Sequence, residues 1–205
     1  MIRNNLKQNS KPRASANLRS QNGFSLLEVL ISVVILSFGL LGMVGLQAAA
    51  LQGNRDARLQ SSAVSLAREL AEMMRGNKNI ALLAVGNPYL GNFTSPLVAA
   101  TPAYCLNVSS VCATPAAIGN SQMTEWLARV DAELPGARVV VCIDSAPYNA
   151  AGNPIWACNA AGTSPTTVVK IGWTRASTDR SLTEAAALQR ANAPSIVFPI
   201  TPGNL

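Results

Sequence analysis

Phe24-Ser25-Leu26-Leu27-Glu28-Val29-Leu30-Ile31-Ser32-Val33-Val34-Ile35-Leu36-Ser37-Phe38-Gly39-Leu40-Leu41-Gly42-Met43-Val44-Gly45-Leu46 is the stretch on which the reading of this chain turns. From Val29 to Leu46 it carries no charge, which is long enough to cross a hydrocarbon core as a helix. The run does not end in a turn. No proline occurs between Pro12 and Pro88, and the residues after Leu46 are mostly good helix formers. Leu59, Ala63, Leu66, Leu70 and Met73 repeat at steps of four and three, with Arg58, Gln60, Arg68 and Glu72 off that stripe. The pattern predicts one helix from near Phe24 to near Arg75, ending at Gly76-Asn77. At about 1.5 Å per residue it would be roughly 80 Å long. Its first half is apolar all round and belongs in lipid or among other helices. Its second half is amphipathic and suits packing on a globular domain.

Gly39, Gly42 and Gly45 interrupt the apolar half at every third residue, each at about 1 kcal/mol of helix stability relative to Ala. Three readings stay open: a surface for close helix packing, a soft stretch that bends, or ordinary glycines of a membrane helix.

Upstream, residues 1–22 are polar, rich in Asn, Ser and Gln, and have no apolar period. Arg3, Lys7, Lys11, Arg13 and Arg19 lie there without a single acid, so five of the sixteen basic residues precede Gly23. Beyond Gly23 eleven basic residues face ten acidic ones. The formal charge of +6 is therefore a property of the N-terminus, as in a topology signal, and not of a nucleic-acid-binding face. Only 13% of the 205 residues are charged. The absence of histidine removes imidazole acid–base chemistry and the commonest transition-metal ligand. No cofactor or metal is expected, and an enzyme is disfavoured.

Downstream, residues 77–120 read as loop, punctuated by Asn87-Pro88, Ser95-Pro96, Thr101-Pro102 and Thr114-Pro115. Met123, Trp126, Leu127, Val130 and Leu134 mark a short amphipathic helix, with Ser121 as N-cap and Pro135-Gly136 as stop. Three strands follow: Arg138–Asp144 with Val139, Val141 and Ile143 on one face, Thr167–Arg175 with Val169, Ile171 and Trp173, and Ser195–Ile200 with Ile196, Phe198 and Ile200. The expected class is α+β: a long N-terminal helical spine packed on a small, mostly antiparallel C-terminal sheet.

The cysteines, Cys105, Cys112, Cys142 and Cys158, lie far beyond the apolar run and form no CxxC pair, which suits disulfides on the oxidising side of a membrane. Three pairings are possible. The two local ones, Cys105–Cys112 around six residues and Cys142–Cys158 around fifteen, are favoured because each ties down a loop. Asp131, Glu133, Asp144 and Asp179 are too scattered for a calcium site and read as solvated surface charge.

Glu28 stands out, because an ionised, unpaired carboxylate near the start of an apolar run is costly in lipid. Gly23-Phe24-Ser25-Leu26-Leu27-Glu28, between a basic leader and an apolar run, resembles the class III signal of type IV pilins and type II secretion pseudopilins. The resemblance rests on a Gly before the cut (Gly23), a Phe after it (Phe24) and a Glu at the fifth mature position (Glu28). It implies that a prepilin peptidase removes leader 1–23 on the cytoplasmic side and that Phe24 becomes N-methylated. Cutting creates a positive amine at Phe24. In an apolar medium an amine and a carboxylate are each costly alone and cheaper together, so Glu28 is an expected assembly contact for a neighbour's Phe24.

The implied organisation is a membrane and assembly half of the helix at 24–50, an amphipathic half at 51–77, and a periplasmic globular domain at 78–205. Past the signal, the run to Met43 followed by Gln47 is similar to the minor-pilin family called type IV pilus modification protein PilV. So are Glu125-Trp126-Leu127, Leu134-Pro135-Gly136-Ala137, Val141-Cys142-Ile143-Asp144 and Val169-Lys170-Ile171-Gly172-Trp173. The similarity implies a single-pass inner-membrane protein that enters a pilus near its tip. Its partners would be the peptidase, the major and other minor pilins, and the inner-membrane assembly platform. It would act in pilus initiation, attachment and twitching motility. The alternatives are a minor pseudopilin of type II secretion and, less favoured, a signal-anchored envelope protein of another class.

Overall fold

The computed structural model describes residues 23–162, 164–177 and 188–203; the leader and Asp179 lie outside them. Helix α1 spans Leu26–Gly76, 51 residues. The chain divides into two compact units after Ala49. In the first unit every described residue is exposed, and an 18-residue window of α1 reaches a mean hydropathy of 2.6. Among the described residues α1 is the helix long and apolar enough to cross a membrane.

The second unit is α+β. Helix α1 contributes Ala63, Leu66, Ala67, Leu70, Ala71 and Met74 to its core, while Leu59 and Met73 are half-buried. The stripe is thus wider than the expected one and passes to Met74 at its end, because a 3.6-residue period drifts off a strict four-three alternation. Beyond it come α2 (Lys78–Ala81) and α3 (Pro115–Glu133). Trp126 of α3 is buried and donates its indole N–H to the Leu66 carbonyl of α1 at 2.9 Å, and Arg129 pairs with Glu69 at the surface. Asn77, just past α1, donates to the Tyr89 hydroxyl at 3.1 Å and to the Pro115 carbonyl at 2.8 Å, tying the end of one helix to the start of the other.

Four antiparallel strands form the sheet, in the order β1-β2-β3-β6: β1 is Gly91–Thr94, β2 Arg138–Asp144, β3 Thr166–Gly172 and β6 Ile196–Ile200. Val139 pairs with Ile171 and Val141 with Val169, so the expected face is the one that joins the helical core. Between β3 and β6 the chain adds a two-strand ribbon, β4 (Arg175–Ala176) with β5 (Leu188–Gln189).

Several expectations need correction. Helix α3 begins at Pro115, not after Ser121. Thr114 is the N-cap, its hydroxyl accepting from the Ala117 amide at 3.1 Å, and Pro115 sits at the first helical position, where its missing N–H costs nothing. Ser121 is instead buried within the helix and accepts from the Cys105 amide at 3.0 Å. Residues 77–120 also hold α2 and edge strand β1. The strand expected to reach Arg175 stops at Gly172, where the Thr174 amide turns to the Pro135 carbonyl at 2.8 Å.

The largest correction concerns Asp144, which is fully buried rather than solvated. The second face of the sheet is covered as well, so Val140, Val168 and Lys170 are buried on the side opposite Val139 and Ile171. The cover is the loop between β2 and β3: Ala157 accepts from Lys170, and a Cβ on Gly172 would lie 3.0 Å from the Trp156 ring.

Candidate functional site

Two places gather the residues that bear chemistry. The first is the start of α1. Ser25 is its N-cap, and its hydroxyl accepts from the Leu27 amide at 3.3 Å. Its carbonyl accepts from the Glu28 and Val29 amides at 3.0 and 3.2 Å. Ser25-Leu26-Leu27-Glu28 has the S-x-x-E order of a capping box, a signal for the helix start that also puts Glu28 in the first turn, where the helix dipole favours a carboxylate. Phe24 is 84% exposed. Phe24 and Glu28 border one shallow groove with Val29, Ser32, Val33 and Leu36.

Within the apolar run each serine hydroxyl turns back on the helix. Ser32 donates to the Glu28 carbonyl and Ser37 to the Val33 carbonyl, both at 2.7 Å, so neither leaves an unpaired donor in an apolar medium. Glu28 makes no ion pair among the described residues. A Cβ added at Gly23, Gly39, Gly42 or Gly45 would meet nothing within 4 Å. Among the described residues nothing packs against them closely enough to require a glycine.

The second place lies in the sheet, and the sequence reading missed it. Lys170 Nζ stands 2.6 Å from Asp144 Oδ2, with both side chains fully buried. Lys170 also donates to the Ala157 carbonyl at 2.5 Å. Asp144 Oδ1 accepts from the Ala146 amide at 2.9 Å and the Asn159 amide at 3.0 Å. Burial alone would raise the Asp144 carboxyl. The Lys170 ammonium and the two amides outweigh it and hold the group below the usual carboxylate range. Disulfides join Cys105 to Cys112 and Cys142 to Cys158. Cys142, Cys158 and Asp144 cluster closely enough for a metal, but both sulfurs are in the disulfide and the carboxylate belongs to Lys170. A lone lysine in an apolar strand, Val168-Val169-Lys170-Ile171, was the available sign that a buried partner was required.

Residues 18–44 match the family described as the Prokaryotic N-terminal methylation motif. The match spans the end of the leader, Gly23, Phe24, Glu28 and the glycine-bearing run, so the N-terminus carries a signal of the type IV pilin kind. No curated protein and no solved structure matches the chain.

Proposed function

We propose that this chain is a minor pilin that takes part in starting and assembling a type IV pilus, and through it in attachment and twitching motility. The observation that supports it is the methylation motif at residues 18–44 set on the first part of a 51-residue helix whose apolar half is bare. On this reading prepilin peptidase cuts between Gly23 and Phe24 and methylates the Phe24 amine. The helix holds the subunit in the inner membrane with its C-terminal domain in the periplasm. The assembly platform then moves it into a filament of major and minor pilins, near the tip. Glu28 meets the Phe24 amine of a neighbour, so two groups costly alone in an apolar core are buried together. The open surface at Gly39, Gly42 and Gly45 lets neighbouring helices approach or the helix bend. Of the minor pilins, the PilV family is the one whose tail order this chain resembles.

The test has two readouts. Mass spectrometry of the mature chain should find N-methylated Phe24 as its first residue; an intact leader refutes the reading. A chromosomal deletion should reduce surface pili and twitching. Normal piliation with loss of exoprotein secretion would assign the chain to a type II secretion pseudopilus instead.

A further inference from the structure

Cys158 is gripped on both sides by groups outside its disulfide. Ala157, before it, accepts from Lys170 Nζ at 2.5 Å. Asn159, after it, donates its amide to Asp144 Oδ1 at 3.0 Å, and its carbonyl accepts from the Ser145 amide at 2.8 Å and the Ser145 hydroxyl at 2.9 Å. The two side chains at the centre, Lys170 and Asp144, are paired at 2.6 Å and fully buried. In the β2–β3 register Lys170 stands opposite Val140 and Asp144 opposite Thr166, with Cys142 between them opposite Val168. One ion pair thus spans both strands, begins two residues from Cys142 and reaches each neighbour of Cys158.

We propose that the Lys170–Asp144 pair is a clamp that seats Cys158 beside Cys142 before their bond exists, and thereby selects this pairing from the three that four cysteines allow. The loop closes over the sheet only by taking Lys170 and Asp144 out of water. A buried pair is tolerable only when its remaining donors and acceptors are filled. The Ala157 carbonyl and the Asn159 amide supply partners from the loop, beside the Ala146 amide next to β2. If the loop slipped by one residue, those groups would move away and leave a buried ammonium and carboxylate short of partners. An apolar contact would tolerate that slip, whereas this contact does not. The register that satisfies the pair is also the one that brings Cys158 to Cys142.

The bond then forms by ordinary thiol–disulfide exchange. The thiolate of one of the two cysteines attacks a disulfide of an oxidising donor, giving a mixed disulfide and releasing one donor thiol. The other thiolate displaces the second donor sulfur. The Cys142–Cys158 bond forms, and both donor sulfurs have left as thiols, carrying the two electrons and two protons.

The test is oxidative refolding of the full-length chain in detergent, after reduction, in glutathione and glutathione disulfide, followed by alkylation and non-reducing peptide mapping. Wild type should regain Cys142–Cys158 nearly completely. Lys170→Met/Asp144→Val, which replaces both charged groups by apolar ones, should form the native bond more slowly and lose part of its yield to chains in which Cys158 is linked to Cys105 or Cys112, beyond the preference that the short loops already give the native pairing. Native pairing at the wild-type yield and rate in this variant overturns the proposal. A second measurement does not depend on that variant folding. In Cys142→Ala/Cys158→Ala the clamp should hold the loop without the bond, so the Asn159 and Ser145 amides should keep their wild-type protection from hydrogen exchange. Loss of that protection shows that the disulfide seats the loop and overturns the proposal.

Discussion

Replacing Lys170 by Met removes one half of a fully buried ion pair at nearly constant volume. Lys170 Nζ lies 2.6 Å from Asp144 Oδ2 and 2.5 Å from the Ala157 carbonyl. In the variant Asp144 keeps only the Ala146 and Asn159 amides, and the Ala157 carbonyl loses a donor. Breaking a buried pair from one side costs about 3–5 kcal/mol. The two surviving amides put this case near the lower end, about 3 kcal/mol, or roughly a hundredfold in the folding equilibrium. The pH dependence carries the diagnosis. In wild type the Asp144 carboxyl is held low, so the unfolded chain binds its proton more readily than the folded one. Its contribution is present above the ordinary carboxylate range and is lost as pH falls through the folded value. Without Lys170, burial is opposed by the two amides alone and the carboxyl rises. Protonation then relieves the folded variant, and its deficit relative to wild type shrinks on acidification. Urea unfolding of the full chain in detergent, followed by tryptophan fluorescence at pH 7 and pH 4, reads both effects. A deficit under about 1 kcal/mol at pH 7, or one that grows at pH 4, refutes the reasoning.

Gly23→Glu puts a charged side chain at the cut, and the expected product is the uncut chain, read as retained leader mass; an unchanged mature N-terminus would sink the assigned site. Glu28→Val should leave cutting and methylation intact while lowering recovery of the subunit in sheared filaments at least tenfold, and normal incorporation would remove Glu28 from assembly. Gly136→Ala meets two obstacles, a backbone φ of +57° and a Cβ that would lie 2.3 Å from the Thr174 hydroxyl oxygen. It should cost about 2 kcal/mol in urea unfolding, and a variant as stable as wild type would show that the Pro135-Gly136 turn relaxes freely.

What could be read from the sequence divides by the range of the interaction. Helix α1 was legible to within two residues of its start, since apolar content and stripe are properties of neighbouring positions. Strands β2 and β6 were legible as runs of β-branched and aromatic residues between turn residues. The start of α3 was local too. It was misread because Ala116 and Ala117 carry no apolar period, although Thr before Pro is itself a helix-start signal. Strand β1 was not legible: Gly-Asn-Phe-Thr has one large apolar residue, and its pairing with β2 comes from 47 or so residues away. The covered second face of the sheet was hidden for the same reason, since the cover is an Asn-, Gly- and Ala-rich loop whose composition resembles any exposed turn.

The two carboxylates make the same point in opposite senses. Glu28 and Asp144 each stand where an unpaired charge is expensive. The anomaly at Glu28 was visible because its apolar surroundings are its own neighbours in sequence. The surroundings of Asp144 are assembled from Lys170, Ala146 and Asn159, so its anomaly appears only after folding. Once folded, Asp144 is closed: every charge has a partner within the same unit. Glu28 stays open, with no ion pair among the described residues and the bare face of a 51-residue helix around it. A closed pair stabilises a fold and asks nothing of other molecules. An open carboxylate on an apolar helix is relieved by a cation, and no side chain among the described residues supplies one there. On the proposed reading that cation is made by the cut itself, at Phe24. The two sites then respond differently to loss of the acid: Asp144 variants change stability in an isolated subunit, whereas Glu28 variants act there only on the first turn of α1 and have their main effect between subunits.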